Sequence, residues 1–436
     1  MRVLLINPGS PRALKKENLG LAFLAAALSA DNHDVRIADE NAGHCVEKVV
    51  DGFQPDVIGI SFMTMFAPRA YALAEVLRHR RPVPLVAGGA HPTALPEEAL
   101  QHFDCVIRGE GELSLPRVLR NGTLSGIVEP HPPEDLDALP MPRRDLLEME
   151  FYANQKEQLA GLSYRTLGII TSRGCPHRCV FCANSTRTMA VRYHSPERVL
   201  TEMAELVKRY HIESIAFYDE QIAADPFRFR QICEGMVERK LNYLKWECQI
   251  HPRSAQPELL KIMKRAGCVQ VAIGFESGSQ KILDAINKNM LVEENLQAAR
   301  QVHEAGLRLR GCFIIGTPGE TREDIAATQR FMETAAVDFA SLHFLTPLPG
   351  SLLYEKYSER INQAAIPWDR FTAGDPDTFI CNEAMSPEEQ KETFRSLSAQ
   401  LAFRNYTWKE KLRRAYRNPR HALRILYDRW VHTKTK

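Results

Sequence analysis

Apolar residues run along the chain in short continuous stretches separated by amphipathic ones. Val3–Asn7, Val35–Ala38, Val57–Ser61, Pro84–Ala87 and Cys105–Ile107 read as strands. Segments 17–30, 44–51, 67–80 and 96–101 lie between them and read as helices. Strands that are apolar throughout are expected where helices cover both faces of a sheet. Five such βα units predict an open parallel sheet, flavodoxin- or Rossmann-like.

A second βα series follows. Its strands are Leu167–Thr171, Ser214–Tyr218, Leu244–Cys248, Val269–Ile273, Cys312–Ile315 and Ala340–Phe344. Helices are expected at 196–210, 226–239, 256–266, 292–305 and 321–336. Six parallel strands in this order predict a partial (β/α)6 barrel of TIM type, with its chemistry at the C-terminal strand ends. Pro130, Pro132, Pro133, Pro140 and Pro142 crowd one acidic stretch between the two series. Regular structure does not survive that density of proline, so a linker along the next domain is expected. After Pro349-Gly350 the β pattern stops and the rest reads as less regular helix. The expected division is a ligand-binding α/β domain (1–127), a linker (128–150), a barrel (151–350) and a helical C-terminal region (351–436).

Composition narrows the class. The 436 residues are too many for one ordinary domain, and 44% hydrophobic with 25% charged is the balance of a globular protein. The longest nearly unbroken apolar stretch, Leu19–Ala30, is too short to span a bilayer. The first residues lack a signal-peptide core, so a cytoplasmic location is expected. The net charge of +2 argues against a generic nucleic-acid binder. That average hides an asymmetry, because residues 403–436 alone carry +9. Removing it leaves −7 on the remainder.

Seven of the ten cysteines are scattered singly. The other three, Cys175, Cys179 and Cys182, lie in Gly-Cys-Pro-His-Arg-Cys-Val-Phe-Cys directly after the first barrel strand. Three thiolates on one loop can hold three irons of a [4Fe–4S] cluster, leaving the fourth iron open. A structural zinc site closes with four Cys/His ligands, and His177 is badly placed to be the fourth.

This C-x3-C-x2-C motif at the mouth of such a barrel, with the aromatic Phe181 before its last cysteine, resembles the radical S-adenosylmethionine (SAM) superfamily. The resemblance implies that the open iron binds SAM and that reductive cleavage yields a 5′-deoxyadenosyl radical. Further segments are similar in the same order. Phe217-Tyr218-Asp219-Glu220 would meet the methionine end of SAM, through Asp219 or Glu220. Glu276 and Ser277 would meet its ribose or amino group. The Gly316 segment would pack on adenine. Arg308 or Arg310 could meet the SAM carboxylate, or lie in solvent.

The first domain carries its own signature at C-terminal strand ends, where open α/β sheets bind ligands. Ser61, Met63 and Thr64 follow the third strand, Gly88, Gly89 and His91 the fourth, and Gly109 and Glu110 the fifth. No nucleotide-binding glycine motif is present. In front of a SAM-type barrel this resembles the cobalamin (B12)-binding domain of B12-dependent radical SAM enzymes, class B methyltransferases among them. The family's Asp-x-His-x-x-Gly is absent after the first strand, where Pro8-Gly9-Ser10-Pro11-Arg12 stands instead. Cobalt without a histidine beneath it is therefore expected; a B12-free domain is the alternative. Asp31-Asn32-His33 is read as a helix-ending turn.

Cations and aromatics alternate from Phe403 to Trp430. Two readings stand: helices docked on the acidic body, or an interfacial pair on anionic lipid at the inner membrane face. The leading functional expectation is C-methylation of an unactivated carbon through the 5′-deoxyadenosyl radical and methylcobalamin. Its substrate would be a small molecule or lipid, and flavodoxin or ferredoxin its electron donor. A cyclase, oxidase or ring-rearranging enzyme with the same cofactors is the alternative, and a corrinoid or redox sensor the non-enzyme alternative.

Overall fold

In the computed structural model, residues 1–10, 15–155, 157–159, 162–186 and 190–405 are described, with no side-chain description for 157, 158 and 403–405. The basic aromatic tail thus lies, but for the first residues of its backbone, outside the described residues. The first sheet comprises β1 (Arg2–Asn7), β2 (Asp34–Asp39), β3 (Val57–Ser61), β4 (Leu85–Gly88), β5 (Cys105–Ile107) and β6 (Gly126–Val128). All pair in parallel in the order β2-β1-β3-β4-β5-β6. Helices α1 (Leu19–Ala30), α2 (Val46–Phe53), α3 (Ala67–Arg80), α4 (Ala90–Ala94), α5 (Pro96–Leu100) and α6 (Gly111–Asn121) connect them. Side chains alternate across a strand, so Val3 and Leu5 enter one core and Leu4 and Ile6 the other, all fully buried. That double burial is why the strands read as continuously apolar.

The short β6 was not evident in the sequence, since three half-buried residues carry no periodicity; α6 was not expected either, and it carries Pro116 inside the helix. α1 begins at Leu19 because the Asn18 side chain accepts the Leu21 N–H at 3.1 Å. It ends in a turn with Asn32 at φ +62° and the His33 N–H on the Leu28 carbonyl, as expected for that segment.

The linker makes no strand beyond β6, and then α7 (Met149–Ala153) and the hairpin β7 (Glu157–Leu159) and β8 (Leu162–Tyr164) lead into the barrel. Asp137 accepts the Ser195 N–H at 3.1 Å, which fastens the linker to the barrel. Arg144 sits buried between Glu202, at 2.5 Å, and the Gly168 carbonyl, at 2.8 Å. Glu17 accepts the Gly168 N–H, so the α1 entry, the linker and the first barrel strand meet at one buried ionic knot.

The second sheet comprises β9 (Thr166–Ile169), β12 (Ser214–Phe217), β13 (Lys245–Ile250), β14 (Cys268–Glu276), β15 (Arg308–Ile315) and β16 (Phe339–Phe344). They pair in parallel in chain order, β9 and β16 forming the two edges, which is a six-stranded open barrel. A separate antiparallel ribbon, β10 (Ser172–Arg173) with β11 (Arg192–Tyr193), follows β9. Helices α8 (Pro196–Tyr210), α9 (Pro226–Glu238), α10 (Pro257–Arg265), α11 (Gln280–Ala285), α12 (Val292–Glu304) and α13 (Arg322–Thr334) pack outside. Their starts are set locally: Ser195, Asp225 and Thr321 each cap the backbone three residues on. Finally α14 (Leu352–Ala364) and α15 (Pro387–Asn405) form the C-terminal part. No helix among the described residues is long and apolar enough to cross a membrane.

Candidate active site

A cavity of about 350 Å3 lies between the C-terminal ends of the first sheet and the cysteine loop. Its inner wall is apolar: Leu5, Leu21, Leu24, Val86, Ile107 and Leu115. Gly59, Gly88, Gly89, Gly109 and Gly111 line it as well, so backbone rather than side chains faces the space. Gly89 is required by geometry. It sits at φ +96°, and a Cβ there would stand 2.8 Å from the backbone N and O of Phe62. The opposite wall contains Arg173, Gly174, Cys175, Arg192, Tyr218 and Glu220.

Of the residues expected to hold the first ligand, Ser61, Gly88, Gly89, Gly109 and Glu110 line this cavity. Met63, Thr64 and His91 do not. Met63 is 54% exposed. His91 is fully buried: its Nε2 lies 2.9 Å from the Tyr71 hydroxyl and its Nδ1 3.3 Å from Thr64 Oγ1. The expected ligand contact of His91 is therefore replaced by a packing role, because both ring nitrogens are engaged behind the turn. Among the described residues lining the cavity there is no histidine.

The three cysteines lie on the excursion from 174 to 191, between β10 and β11. None of the three is joined in a disulfide. Burial pushes the Cys179 thiol up to about 11 and also raises Cys175. Among the described residues no three His, Cys, Asp or Glu side chains converge on a single metal-ion position. The loop rests on the turn after α11, where the Val180 N–H donates to the Ile286 carbonyl at 3.0 Å. Asn287 Nδ2 donates to the Arg178 carbonyl at 2.9 Å. His177 stacks on His251 with ring centroids 3.9 Å apart. Phe181 packs against the apolar cluster that includes Leu345, Tyr354 and Phe371, so the loop also touches the C-terminal part.

The strand-end acids separate into two roles. Asp219 is buried, and its carboxylate accepts the Thr171 N–H at 3.1 Å and the Thr171 hydroxyl at 2.7 Å. It also binds the Ser172 hydroxyl, so it braces the ribbon. Glu220 faces the cavity, accepting from Gly174 N–H and, at 2.8 Å, from Asn184 Nδ2. Glu276 lies at φ +63° and accepts from Lys288 Nζ at 2.8 Å, both side chains being buried. Ser277 is fully buried and its hydroxyl lies 3.0 Å from Thr328 Oγ1, which leaves it no surface for a ligand. Arg310 reaches across the barrel lumen to Glu247 at 2.8 Å and to Ser341 at 3.2 Å, so its charge is already paired. Arg308 is exposed at the strand start. Gly316 adopts φ +90°, and its N–H donates to Glu320 at 2.6 Å.

Arg173, Arg192, Lys288 and Glu320 were not picked out from the sequence. Arg173 adjoins the cysteine motif, but nothing in its spacing names its partners. Lys288 lies more than a hundred residues beyond the cysteines it approaches.

The glycine-lined strand ends let a ligand approach the backbone, and the donor set of three thiols fits a cluster with one open iron. A ligand-binding doubly wound sheet set against the cysteine mouth of an open barrel defines the class: a B12-binding domain joined to a radical SAM core. Two family models match, the B12 binding domain over residues 12–119 and the Radical SAM superfamily over residues 169–332. The chain is 32% identical over 409 residues to an uncharacterized methyltransferase of Pyrococcus horikoshii, covering 86% of this chain and 87% of the relative. It is 27% identical to the bacteriochlorophyllide d C-12(1)-methyltransferase of Chlorobaculum tepidum, covering 84% and 80%. Among solved structures, the cobalamin-dependent SAM radical enzyme OxsB with aqua-cobalamin shares the fold, with a TM-score of 0.73 and 18% identity over 99% of this chain and 71% of that one. The chain belongs to the cobalamin-dependent radical SAM enzymes. Its cofactors are a [4Fe–4S] cluster, SAM and cobalamin.

Proposed function

We propose that this enzyme methylates an unactivated carbon of a small molecule. The observation that carries the reading is the shared cavity: glycine-lined strand ends of the first sheet and Cys175 form opposite walls of one space. Methyl delivery from a corrin to a carbon activated by SAM chemistry needs that adjacency. The methyltransferases among the relatives support the same reading.

Cys175, Cys179 and Cys182 would hold the cluster. Ser61, Gly88, Gly89 and Gly109 would line the corrin. Glu220, Glu276 and the Gly316 turn would hold SAM, with Asp219 as the brace behind Glu220 and Phe181 fixing the loop. Residues 1–127 would form the corrinoid domain, 151–350 the radical domain, with the linker at 128–150 and the helical region at 351–436. The bound cofactors supply reductive cleavage of SAM and carriage of a methyl group on cobalt. The protein's part would be to exclude water with the apolar wall of Leu5, Leu21, Val86 and Ile107 and to hold the acceptor carbon between the two walls. A flavodoxin or ferredoxin would deliver the electron.

Product mass is the test. Methylation adds about 14 Da, whereas cyclisation or oxidation removes hydrogens and rearrangement leaves the mass unchanged. A substrate converted without the added methyl would assign the chain to the cyclase or rearranging type instead.

A further inference from the structure

The excursion that carries the cysteines is closed at its base by the ribbon, where Arg173 stands opposite Arg192. Like charges directly opposite on paired strands repel. The neutralising charge comes from the other sheet. Glu110 Oε2 accepts from Arg173 at 2.7 Å and from Arg192 at 3.2 Å, and its Oε1 takes the second Arg192 nitrogen. Glu112 accepts from the other Arg173 nitrogen at 2.7 Å. Two cations and two anions make a neutral, largely buried quartet. Burial pushes the Glu110 carboxyl up, but Arg192 and Arg173 outweigh it and hold it below the ordinary carboxylate value.

One residue therefore grips both ends of the cysteine loop. The same residue belongs to the turn on which the first ligand must rest. Gly109, at φ +70°, precedes it, α6 starts directly after it, and Gly109–Gly111 line the cavity. A ligand seated on that turn fixes Glu110, and a fixed Glu110 fixes the positions from which the loop departs and to which it returns.

We propose that Glu110 couples the two cofactor sites, so that a corrin in the cavity and a cluster on the loop strengthen each other's binding through Arg173 and Arg192. This rests on the reading that the cavity holds cobalamin and the loop the cluster. Glu110 is a positioning residue here, acting through the arginines. A coupling free energy is the same measured from either site.

The test measures hydroxocobalamin affinity by absorbance, anaerobically, on the full chain with its cluster assembled and on the same chain stripped of iron. The expected affinity ratio is about fivefold or more in favour of the clustered form. Glu110→Gln keeps the shape and removes the charge, and should bring the ratio to about one. Arg192→Gln, a second variant should the first fold poorly, should lower it as well. Hydrogen exchange in the same samples reads the loop directly: hydroxocobalamin should protect residues 174–186 in the wild type and fail to do so in Glu110→Gln. Equal affinities with and without the cluster in the wild type overturn the proposal, as does an unchanged ratio in both variants. Absence of corrinoid binding altogether is a different result, which removes the functional reading beneath it.

Discussion

Glu320 accepts the Gly316 N–H at 2.6 Å, while its other carboxyl oxygen is buried without a hydrogen-bond partner among the described residues. An orphaned carboxylate oxygen is costly and a protonated one is less so. Burial accordingly pushes the Glu320 carboxyl up to about 8. A carboxyl raised on folding stabilises the protein fully below its unfolded value, and that contribution is lost as pH rises through the folded value. Stability should therefore fall between about pH 5 and 8, by at most about 1.4 kcal/mol per pH unit from this group, and the melting temperature with it. Glu320→Gln, a neutral mimic, should remove that slope. An unchanged slope in Glu320→Gln contradicts the assignment.

Replacing Cys175, Cys179 or Cys182 by alanine should abolish the cluster absorption band and drop SAM cleavage below about 1% of wild type. Replacing the buried Cys233 or Cys268, which lie in the core away from the loop, should leave the band intact. Reductive cleavage surviving in a triple Cys175/Cys179/Cys182 variant would refute the mechanism.

With no histidine on the cavity wall, electron paramagnetic resonance of bound cob(II)alamin should show no nitrogen splitting from a protein imidazole. His91→Ala should leave that spectrum unchanged, yet cost about 1–3 kcal/mol of stability, because it empties a fully buried position and removes the partner of Thr64 Oγ1, while Tyr71 keeps its bond to Glu98. Imidazole splitting that disappears in His91→Ala would show that His91 is a ligand after all.

Gly89→Ala should destabilise the protein by about 1–3 kcal/mol, because its φ of +96° and the 2.8 Å approach to Phe62 leave no room for a Cβ. Corrinoid affinity should fall with it, read by absorbance titration. Full binding in a stable Gly89→Ala protein contradicts the close-approach role.

Much of this architecture was legible in the sequence because burial on both faces leaves a continuous apolar trace. Val3–Ile6 and Val57–Ile60 could be placed in a parallel sheet on that ground alone. β6 could not, since Gly126, Ile127 and Val128 are only half-buried. The cysteine loop was legible because ligand spacing is local. What holds it was not: Ile286, Asn287 and Glu110 come from remote segments, and only folding brings them to the loop. The family resemblance pointed to Asp219, Ser277 and Arg310, and strand-end position to His91, but neither could tell ligand-facing groups from braces. Asp219 turned to Thr171, Ser277 to Thr328 and Arg310 to Glu247 because a buried polar group must find a partner.

The central claim is that one chain carries both cofactors around a common cavity. Anaerobic reconstitution of the full chain with iron, sulfide and hydroxocobalamin, followed by iron and corrinoid quantitation, tests it most directly. The account predicts about four irons and about one corrinoid per chain. A full cluster with no retained corrinoid, or corrinoid with no cluster, would contradict it.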